Sequence, residues 1–310
     1  MLKKEFLDMR WVKDAIGYWC EDILEKKFLG QNIGVSVLDS GISPSHPDFY
    51  GRISGFGDFV NEKKMIYDDS GHGTHVAGIL SGSGKMSNGA YAGLAPKASL
   101  LIAKVLDQSG NGMVEYVMQG IQWILDQKKN KNIRIVNISV GTQPGLEKSE
   151  EKRLLEGVDA LWDAGLVVVV SAGNYGPGEG TVAVPGSSRK VITVGVADTL
   201  GKPVRQGRAR WDYSGEGPTE CCVVKPDLVA PGTSIVSCNA NYKKYLQKPY
   251  IAKSGTSMAT PMVSGAIACL LSKYPDMTNV EVKLKLRESC IRAEGTHGWG
   301  MLHVGRLLAP

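Results

Sequence analysis

Short apolar runs of strand length alternate along the chain with longer segments in which apolar residues recur at helical spacing. The short runs are rich in Val and Ile, which favours buried strands, and they lie at 33–38, 100–106, 133–140, 166–171 and 191–196. Residues 113–126 and 154–162 repeat apolar side chains every three or four positions, as expected for helices that cover a sheet. The alternation predicts an α/β fold in which crossover helices join parallel strands.

Two of these predicted strands end in polar residues. The run VSVLDSG (35–41) places Asp39 at the end of the first strand, and VVVSAGN (168–174) places Asn174 after the fourth. Functional sites of open parallel sheets gather at the carboxyl ends of strands. We therefore expect Asp39 and Asn174 to lie in one site.

Two further motifs supply a histidine and a serine. In SGHGTHVAG (70–78), His72 stands at the start of a helix of small residues, and in SGTSMATP (254–261), Ser257 lies in a glycine-rich turn before a helix predicted over 260–271. On its own, the second motif is equally typical of an ordinary helix start, with Ser257 as the cap and Pro261 in the first turn. A serine becomes a nucleophile only when a base takes its proton and a third group orients that base, and His72 and Asp39 provide both.

The chain order Asp39, His72, Ser257, with these flanking residues, resembles the subtilase family of serine peptidases. The resemblance runs from about residue 30 to about residue 308. It implies a three-layer sandwich with a mostly parallel central sheet and helices on both faces. It also implies that Asn174 and the backbone N–H of Ser257 stabilise the oxyanion of the tetrahedral intermediate. The implied reaction is endoproteolysis through an acyl-enzyme, and the implied partner is a polypeptide substrate.

The resemblance also points to the edges that bind substrate as an added strand. These are SGNG (109–112), NISVG (137–141) and the segment 175–185, which forms a wall of the pocket for the residue before the scissile bond. Ala183 falls near the base of that pocket, where its methyl group is expected to shorten it and to favour medium apolar side chains. The sequence leaves the isomer of the bond before Pro185 open. The expected substrate-binding residues are Gly110, Asn111, Gly112, Ser139, Val140, Gly141, Ala172, Gly173 and Ala183.

Many subtilases bind calcium through a carboxylate at the position of Asp48 and an Asn-rich loop after the catalytic histidine. Here the loop is SGSGKMSNGAY (81–91), which contains a lysine and no carboxylate. Calcium prefers oxygen ligands with negative charge. We expect no strong calcium site, no metal and no cofactor, with Asp48 capping a turn instead.

Composition excludes several other classes. The 310 residues are 43% hydrophobic and 22% charged, with a net charge of +5, which suits one large core. Basic residues lie in separate patches, so nucleic-acid binding is not expected, and apolar runs such as 166–170 are far shorter than a membrane helix. We predict an N-terminal extension over 1–29 and a peptidase domain over 30–310, and the oligomeric state stays open.

The N-terminal region shows no apolar core typical of a signal peptide, and about thirty residues before the first strand are too few for a long folding pro-segment. The cysteines are scattered, without zinc spacing: Cys20, Cys221, Cys222, Cys238, Cys269 and Cys290. Free thiols fit a reducing cytosol, so we predict a cytoplasmic protein. Apolar residues between Trp11 and Leu24 are partly at helical spacing, so this segment either packs on the body or lies in the substrate cleft as an inhibitor.

Three alternatives remain open at this point. The chain could be a catalytically silent or autoinhibited relative that acts as a binding protein, although such relatives usually lose a triad member. A peptidase could serve general protein turnover or cleave one dedicated peptide. Residues 199–220 form a predicted surface insertion, with or without a role in substrate contact.

Overall fold

The computed structural model describes residues 9–142, 145–197, 213–243, 247–292 and 298–310. Within them, seven parallel strands form one sheet in the order β2-β3-β1-β4-β5-β6-β7, and β8 pairs with β9 in a separate antiparallel hairpin. The strands are β1 Gly34–Asp39, β2 Ile53–Asp58, β3 Ser99–Lys104, β4 Ile133–Ile138, β5 Val167–Ser171, β6 Ile192–Val196, β7 Leu228–Ala230, β8 Ile235–Cys238 and β9 Tyr250–Lys253. The helices are α1 Met9–Ala15, α2 Glu21–Leu24, α3 His72–Ser81, α4 Val114–Gln127, α5 Lys148–Asp163, α6 Thr256–Lys273, α7 Asn279–Ser289 and α8 Val304–Leu308.

Helices cover the sheet on both faces, which confirms the predicted three-layer α/β fold. Helices α3 and α6 pack against each other on one side, and α4 and α5 pack against each other on the other. Every residue of β1, β5 and β6 is buried, as expected for parallel strands that are covered on both faces. This arrangement brings the carboxyl ends of β1, β3, β4 and β5 to the same end of the sheet, which is called the carboxyl edge below.

Helix α3 is almost completely buried because its small residues allow close packing. A Cβ on Gly73 would lie 2.2 Å from the carbonyl oxygen of Gly41, and a Cβ on Gly78 would lie 2.3 Å from Ser237 Oγ. Either side chain would force the helix away from β1 or from the β8–β9 hairpin. The glycines therefore fix how closely His72 approaches the end of β1.

The five predicted strands are confirmed as β1, β3, β4, β5 and β6, but β2, β7 and the β8–β9 hairpin were not predicted. Strand β2 (ISGFGD) contains two glycines and lies half-buried at the sheet edge, so it lacks a strong strand pattern. Helix α6 begins at Thr256, four residues before its predicted start, which places Ser257 inside the first turn and Pro261 in the second. Of the predicted insertion, residues 199–212 lie outside the described residues.

The described part of the N-terminal extension packs on the body of the protein. Met9, Val12 and Ile16 are buried, and Asp22 forms an ion pair of 2.7 Å with Lys273 at the last turn of α6. Sixteen residues of helix separate Lys273 from Ser257, about 24 Å at 1.5 Å per residue. Asp22 therefore lies far from the carboxyl edge of the sheet, and α1 packs against β8. Among the described residues, no helix is long and apolar enough to span a lipid bilayer.

Candidate active site

Asp39 and His72 form a hydrogen-bonded pair at the end of β1. The Asp39 carboxylate is fully buried, and its Oδ1 accepts from the backbone N–H of Ser40 and lies 2.7 Å from His72 Nδ1. Because an ionised carboxylate only accepts hydrogen bonds, Nδ1 carries the proton and Nε2 is left as an acceptor. The imidazole remains 25% exposed, so Nε2 can receive a proton from a group at the surface.

The surroundings of His72 favour its charged form. Burial is the largest single influence and lowers the pKa of the imidazole, but the charge and the hydrogen bond of Asp39 raise it, and the net pKa lies above the ordinary 6.5. The Lys253 ammonium opposes Asp39 and lowers the same pKa. The Asp39 carboxylate therefore stabilises the His72 imidazolium, and the Lys253 ammonium partly opposes this stabilisation.

Asp68 joins the start of α3 to the turn after Asp39. The helix is capped by Gly71, which has no side chain, and the Asp68 carboxylate takes over the capping role. Its Oδ1 accepts from Ser40 Oγ at 2.9 Å and from the Gly71 N–H at 2.7 Å, and its Oδ2 accepts from the Thr74 N–H at 2.8 Å. A carboxylate at a helix N-terminus is favourable. Sequence reasoning missed Asp68, although an acidic residue just before a glycine cap was an available signal.

Lys104 is a buried cation behind the site. Its ammonium donates to Ser40 O at 2.8 Å, to Leu106 O at 2.6 Å and to Asp69 Oδ1 at 2.7 Å. These contacts tie the end of β1 to the end of β3 and to the segment before His72. Sequence reasoning missed Lys104 too, and the signal was a charged residue in a strand that is otherwise buried.

Ser257 lies in the first turn of α6, above the end of β4. Its hydroxyl donates to the carbonyl oxygen of Ser139 at 2.7 Å, and no hydrogen bond joins it to His72 among the described residues. Beneath it, Ser264 Oγ donates to Asn137 Oδ1, and Asn137 Nδ2 donates to Ser139 Oγ, each at 2.8 Å. This buried network fixes α6 on β4 and so fixes the height of Ser257 over the sheet edge.

Asn174 is held so that its amide N–H group remains free to donate. Its Oδ1 accepts from the backbone N–H of Thr256 at 3.0 Å and from Thr256 Oγ1 at 3.1 Å. Since both partners act as donors to Oδ1, the amide orientation follows from the network. The side chain crosses Gly255, where Asn174 Nδ2 lies 3.4 Å from the position that a Cβ would take. Nδ2 therefore lies beside the first turn of α6.

A cavity of about 430 Å³ opens between the ends of β3 and β4 and the helices α4 and α5. Five of the predicted substrate-binding residues line it, and Val114, Val117 and Leu154 make its wall apolar; the five are Gly110, Asn111, Gly112, Val140 and Gly141. The other four predicted residues, Ser139, Ala172, Gly173 and Ala183, do not line it.

Ala183 lies instead between two glycines of the predicted pocket walls. Its Cβ would be 2.9 Å from a Cβ on Gly141 and 2.6 Å from a Cβ on Gly173. The methyl group thus fills the space between the end of β4 and the segment after β5. The Val184–Pro185 peptide bond, left open by the sequence, is cis.

The subtilase family model matches residues 30–300 of this chain. The chain belongs to the subtilase family. It is 40% identical over 282 residues to the serine protease AprX of Bacillus subtilis (strain 168), and the alignment covers 87% of this chain and 62% of that protein. It is 34% identical over 282 residues to subtilisin E of the same strain, with 89% and 66% covered. The chain therefore spans somewhat less than two thirds of the length of these curated relatives.

Solved structures agree with this membership of the subtilase family. Sphericase superposes with a TM-score of 0.77 at 27% identity, covering 97% of this chain and 99% of that one. The S41 psychrophilic protease superposes with a TM-score of 0.74 at 26% identity, covering 89% and 92%.

The region where many subtilases bind calcium has a different chemistry in this subtilase. The buried Asp48 carboxylate accepts from the backbone N–H groups of Gly84 and Met86, at 3.0 and 3.3 Å, and from the Tyr250 hydroxyl at 2.8 Å. Calcium requires oxygen ligands around it, whereas this loop directs hydrogen-bond donors at the carboxylate. These residues do not fit a calcium ion.

His46, Asp48 and Cys238 also come within 4.8 Å of one another, but hydrogen bonds already occupy their ligand atoms. His46 Nδ1 accepts from the Asp48 N–H, and the Cys238 thiol donates to Asp48 Oδ2 at 3.6 Å. Burial raises the pKa of this thiol well above its usual range, so it stays protonated. A metal would have to displace this network.

Proposed function

We propose that this chain is a serine endopeptidase whose reaction is carried out by Asp39, His72 and Ser257. The observation that carries the proposal is the 2.7 Å contact between His72 Nδ1 and the buried Asp39 carboxylate. Ser257 lies at the same edge of the sheet, where its hydroxyl contacts Ser139 O at the end of β4, the strand beside β1. The names of the relatives, a serine protease and a subtilisin, support the same reaction. No feature of the described residues favours the alternative of a silent binding relative.

In the first half of the reaction, Ser257 Oγ turns from Ser139 O towards His72 and gives its proton to Nε2. The oxygen attacks the scissile carbonyl carbon, and a tetrahedral intermediate forms. His72 then gives the proton to the departing amide nitrogen, the C–N bond breaks, and the acyl group stays on Ser257. Asp39 keeps Nδ1 protonated throughout and stabilises the imidazolium.

The negative charge of the intermediate falls on the former carbonyl oxygen, close to Asn174 Nδ2 and the N-terminus of α6. The first N–H groups of a helix have no intrahelical partner and favour an anion. Because Thr256 holds the Asn174 amide in place, this donor needs no reorganisation. Such a donor lowers the barrier by about 3 kcal/mol, a magnitude known from subtilisin and not worked out from this chain.

In the second half, a water molecule takes the place of the departed amine. It gives a proton to His72 Nε2 and attacks the acyl carbon, and His72 returns the proton to Ser257 Oγ as the ester bond breaks. The same two residues thus act in both halves, and no metal or cofactor enters the proposed reaction.

The proposed substrate is an extended polypeptide whose backbone pairs with residues 110–112 and 139–141. Main-chain pairing gives affinity without demanding particular side chains. The apolar cavity beside these segments would take an apolar substrate side chain on the acyl side of the cleaved bond. Neither a nucleic acid nor a membrane is part of the proposal.

Six unpaired cysteines support a reducing compartment, so we also propose that the protein acts in the cytoplasm.

Ala183→Gly should widen the pocket for the residue before the cleaved bond. Removing the methyl group frees space between Gly141 and Gly173. We therefore expect kcat/KM for substrates with Phe or Tyr at that position, divided by kcat/KM for the substrate with Ala there, to rise roughly tenfold, which is the effect of one methyl group in a pocket. The measurement is a matched series of quenched peptides that differ only there. Ala90→Gly, which removes a methyl group from the loop after α3, is the control. An unchanged ratio would show that Ala183 does not limit the pocket.

Covalent labelling by a fluorophosphonate tests the proposed function directly. Only a serine activated by its neighbours displaces the leaving group at phosphorus, so we expect one adduct by intact mass, located on Ser257 by peptide mapping and abolished by prior unfolding. A folded protein that stays unlabelled and cleaves no peptide would overturn the proposal in favour of a silent relative.

A further inference from the structure

The chain segment that contains the β8–β9 hairpin has no acidic residue. Between Asp227 and Asp276 the sequence contains no Asp or Glu, whereas four lysines fall in the hairpin and its tip: Lys243, Lys244, Lys248 and Lys253. Lys244 lies outside the described residues, and Lys243 and Lys248 are exposed. The hairpin therefore presents positive charge only.

Lys253 is the lysine of this group that reaches the active site. It is the last residue of β9 and precedes Ser257 by four positions. Its side chain is half-buried, and its ammonium lies 3.3 Å from the carbonyl oxygen of Gly71, the cap of α3. His72 is the next residue. The Lys253 ammonium thus lies beside the histidine of the Asp39–His72 pair.

The start of α3 is an unusual place for a cation. The N-terminus of a helix carries partial positive charge and disfavours a cation, and burial lowers the pKa of Lys253. Among the described residues Lys253 forms no direct ion pair. The charges of Asp68 and Asp39 favour its ammonium form from a longer range, but both carboxylates are hydrogen-bonded elsewhere, Asp39 with His72 and Asp68 with the start of α3. A lysine ammonium has three N–H donors, and the carbonyl oxygen of Gly71 accepts one of them, so a substrate carboxylate could accept another.

The reaction places the leaving half of the substrate, which is the chain after the cleaved bond, on the His72 side of the site. The acyl half lies along residues 110–112 and 139–141, at the ends of β3 and β4. The departing amine takes its proton from His72 Nε2, so the chain after the cleaved bond has to cross His72. Helix α3 packs against β8 of the hairpin, and β9 of the same hairpin places the Lys253 ammonium beside Gly71, next to His72.

We propose that Lys253 binds an acidic side chain of the substrate in the first or second position after the cleaved bond. The enzyme would then prefer polypeptides that are acidic just after the cleavage site, and the exposed lysines of the hairpin would attract such a segment before binding. This inference rests on the proposed peptidase function and adds a substrate class to it.

Three quenched peptides that are identical up to the cleaved bond, with Glu, Gln or Lys directly after it, test the inference. A second set carries the same residues one position further on. At low salt and on the pH-independent plateau of the reaction, we expect kcat/KM to be five- to tenfold higher for Glu than for Gln in at least one set, and lowest for Lys. The Glu advantage should shrink as salt rises.

Lys253→Gln should abolish the difference between the Glu and Gln peptides, and Lys253→Glu should reverse the order so that the Lys peptide is cleaved fastest. The control is Lys129→Gln. It removes the same charge just before β4, at the amino ends of the strands, and should keep the Glu preference. Equal rates in both wild-type sets, or a preference that survives in Lys253→Gln, would overturn the inference while labelling of Ser257 still supports the peptidase. Absence of both cleavage and labelling would overturn the proposed function itself.

Discussion

Ser257→Ala is expected to lower kcat about 10⁶-fold, the magnitude known from subtilisin and not one derived from this chain. Without the hydroxyl, His72 has no nucleophile to activate, and only the oxyanion donors and substrate binding remain. The fold should persist, because the hydroxyl makes one hydrogen bond, to Ser139 O, and such a bond contributes about 1 kcal/mol to the free energy of unfolding. Turnover of a quenched peptide and the melting temperature measure both effects.

Ser264→Ala provides the matched control for this variant. Ser264 lies two turns further along α6, is buried, and donates to Asn137 Oδ1 at 2.8 Å. Removing its hydroxyl leaves a buried acceptor without that partner, which costs about 1–3 kcal/mol of stability but removes no reacting group. If Ser257→Ala kept more than about a thousandth of the activity, or lost no more activity than Ser264→Ala, Ser257 would not be the nucleophile.

The central residues of the site were accessible from sequence because each lies in a short motif with a fixed backbone role. Asp39 and Asn174 each end or follow a buried apolar run, and His72 and Ser257 each fall in the first turn of a helix that begins after glycine. In these cases the local sequence determines both the element and the end at which the side chain emerges. Parallel strands then bring those ends to one edge.

The contacts of the supporting residues were only partly predictable from the sequence, since several of their partners are distant in the chain. Lys104 holds Asp69 and the carbonyl of Ser40, and Asp68 holds Ser40 and Thr74. Only the pairing of β1 with β3 and the docking of α3 bring these groups together. A charged residue in a buried strand signals that some partner exists, but the sequence does not say which one.

The β8–β9 hairpin was missed for a related reason. Both strands are short, and β9 is half-buried with a lysine at its end, so neither shows a clear alternation of apolar and polar residues. The hairpin is held instead by His75, whose Nε2 contacts the carbonyl oxygens of Ile235 and Ile251. His75 is fully buried, and burial holds its pKa at about 3, so it stays neutral while it ties the hairpin to α3.

Asp39→Asn is expected to lower kcat about 10⁴-fold, as in other serine proteases. An amide in place of the carboxylate can donate to Nδ1, which favours the tautomer with the proton on Nε2, where it cannot accept the serine proton. The pKa of His72 should fall as well. Burial and Lys253 both lower that pKa, whereas the charge of Asp39 raises it, and the substitution removes the charge.

The pH dependence of kcat/KM separates these two effects. Because the reaction needs neutral His72, wild-type activity should fall as the pH drops through a pKa above 6.5, the ordinary value that Asp39 raises. In Asp39→Asn the remaining activity should fall only at lower pH, since an imidazole with a lower pKa stays neutral further into acid. Asp163→Asn, which removes an exposed carboxylate paired with Lys190, should leave both the rate and the acid limb unchanged. An acid limb that stays in place in Asp39→Asn would mean that a group other than the Asp39–His72 pair controls the reaction.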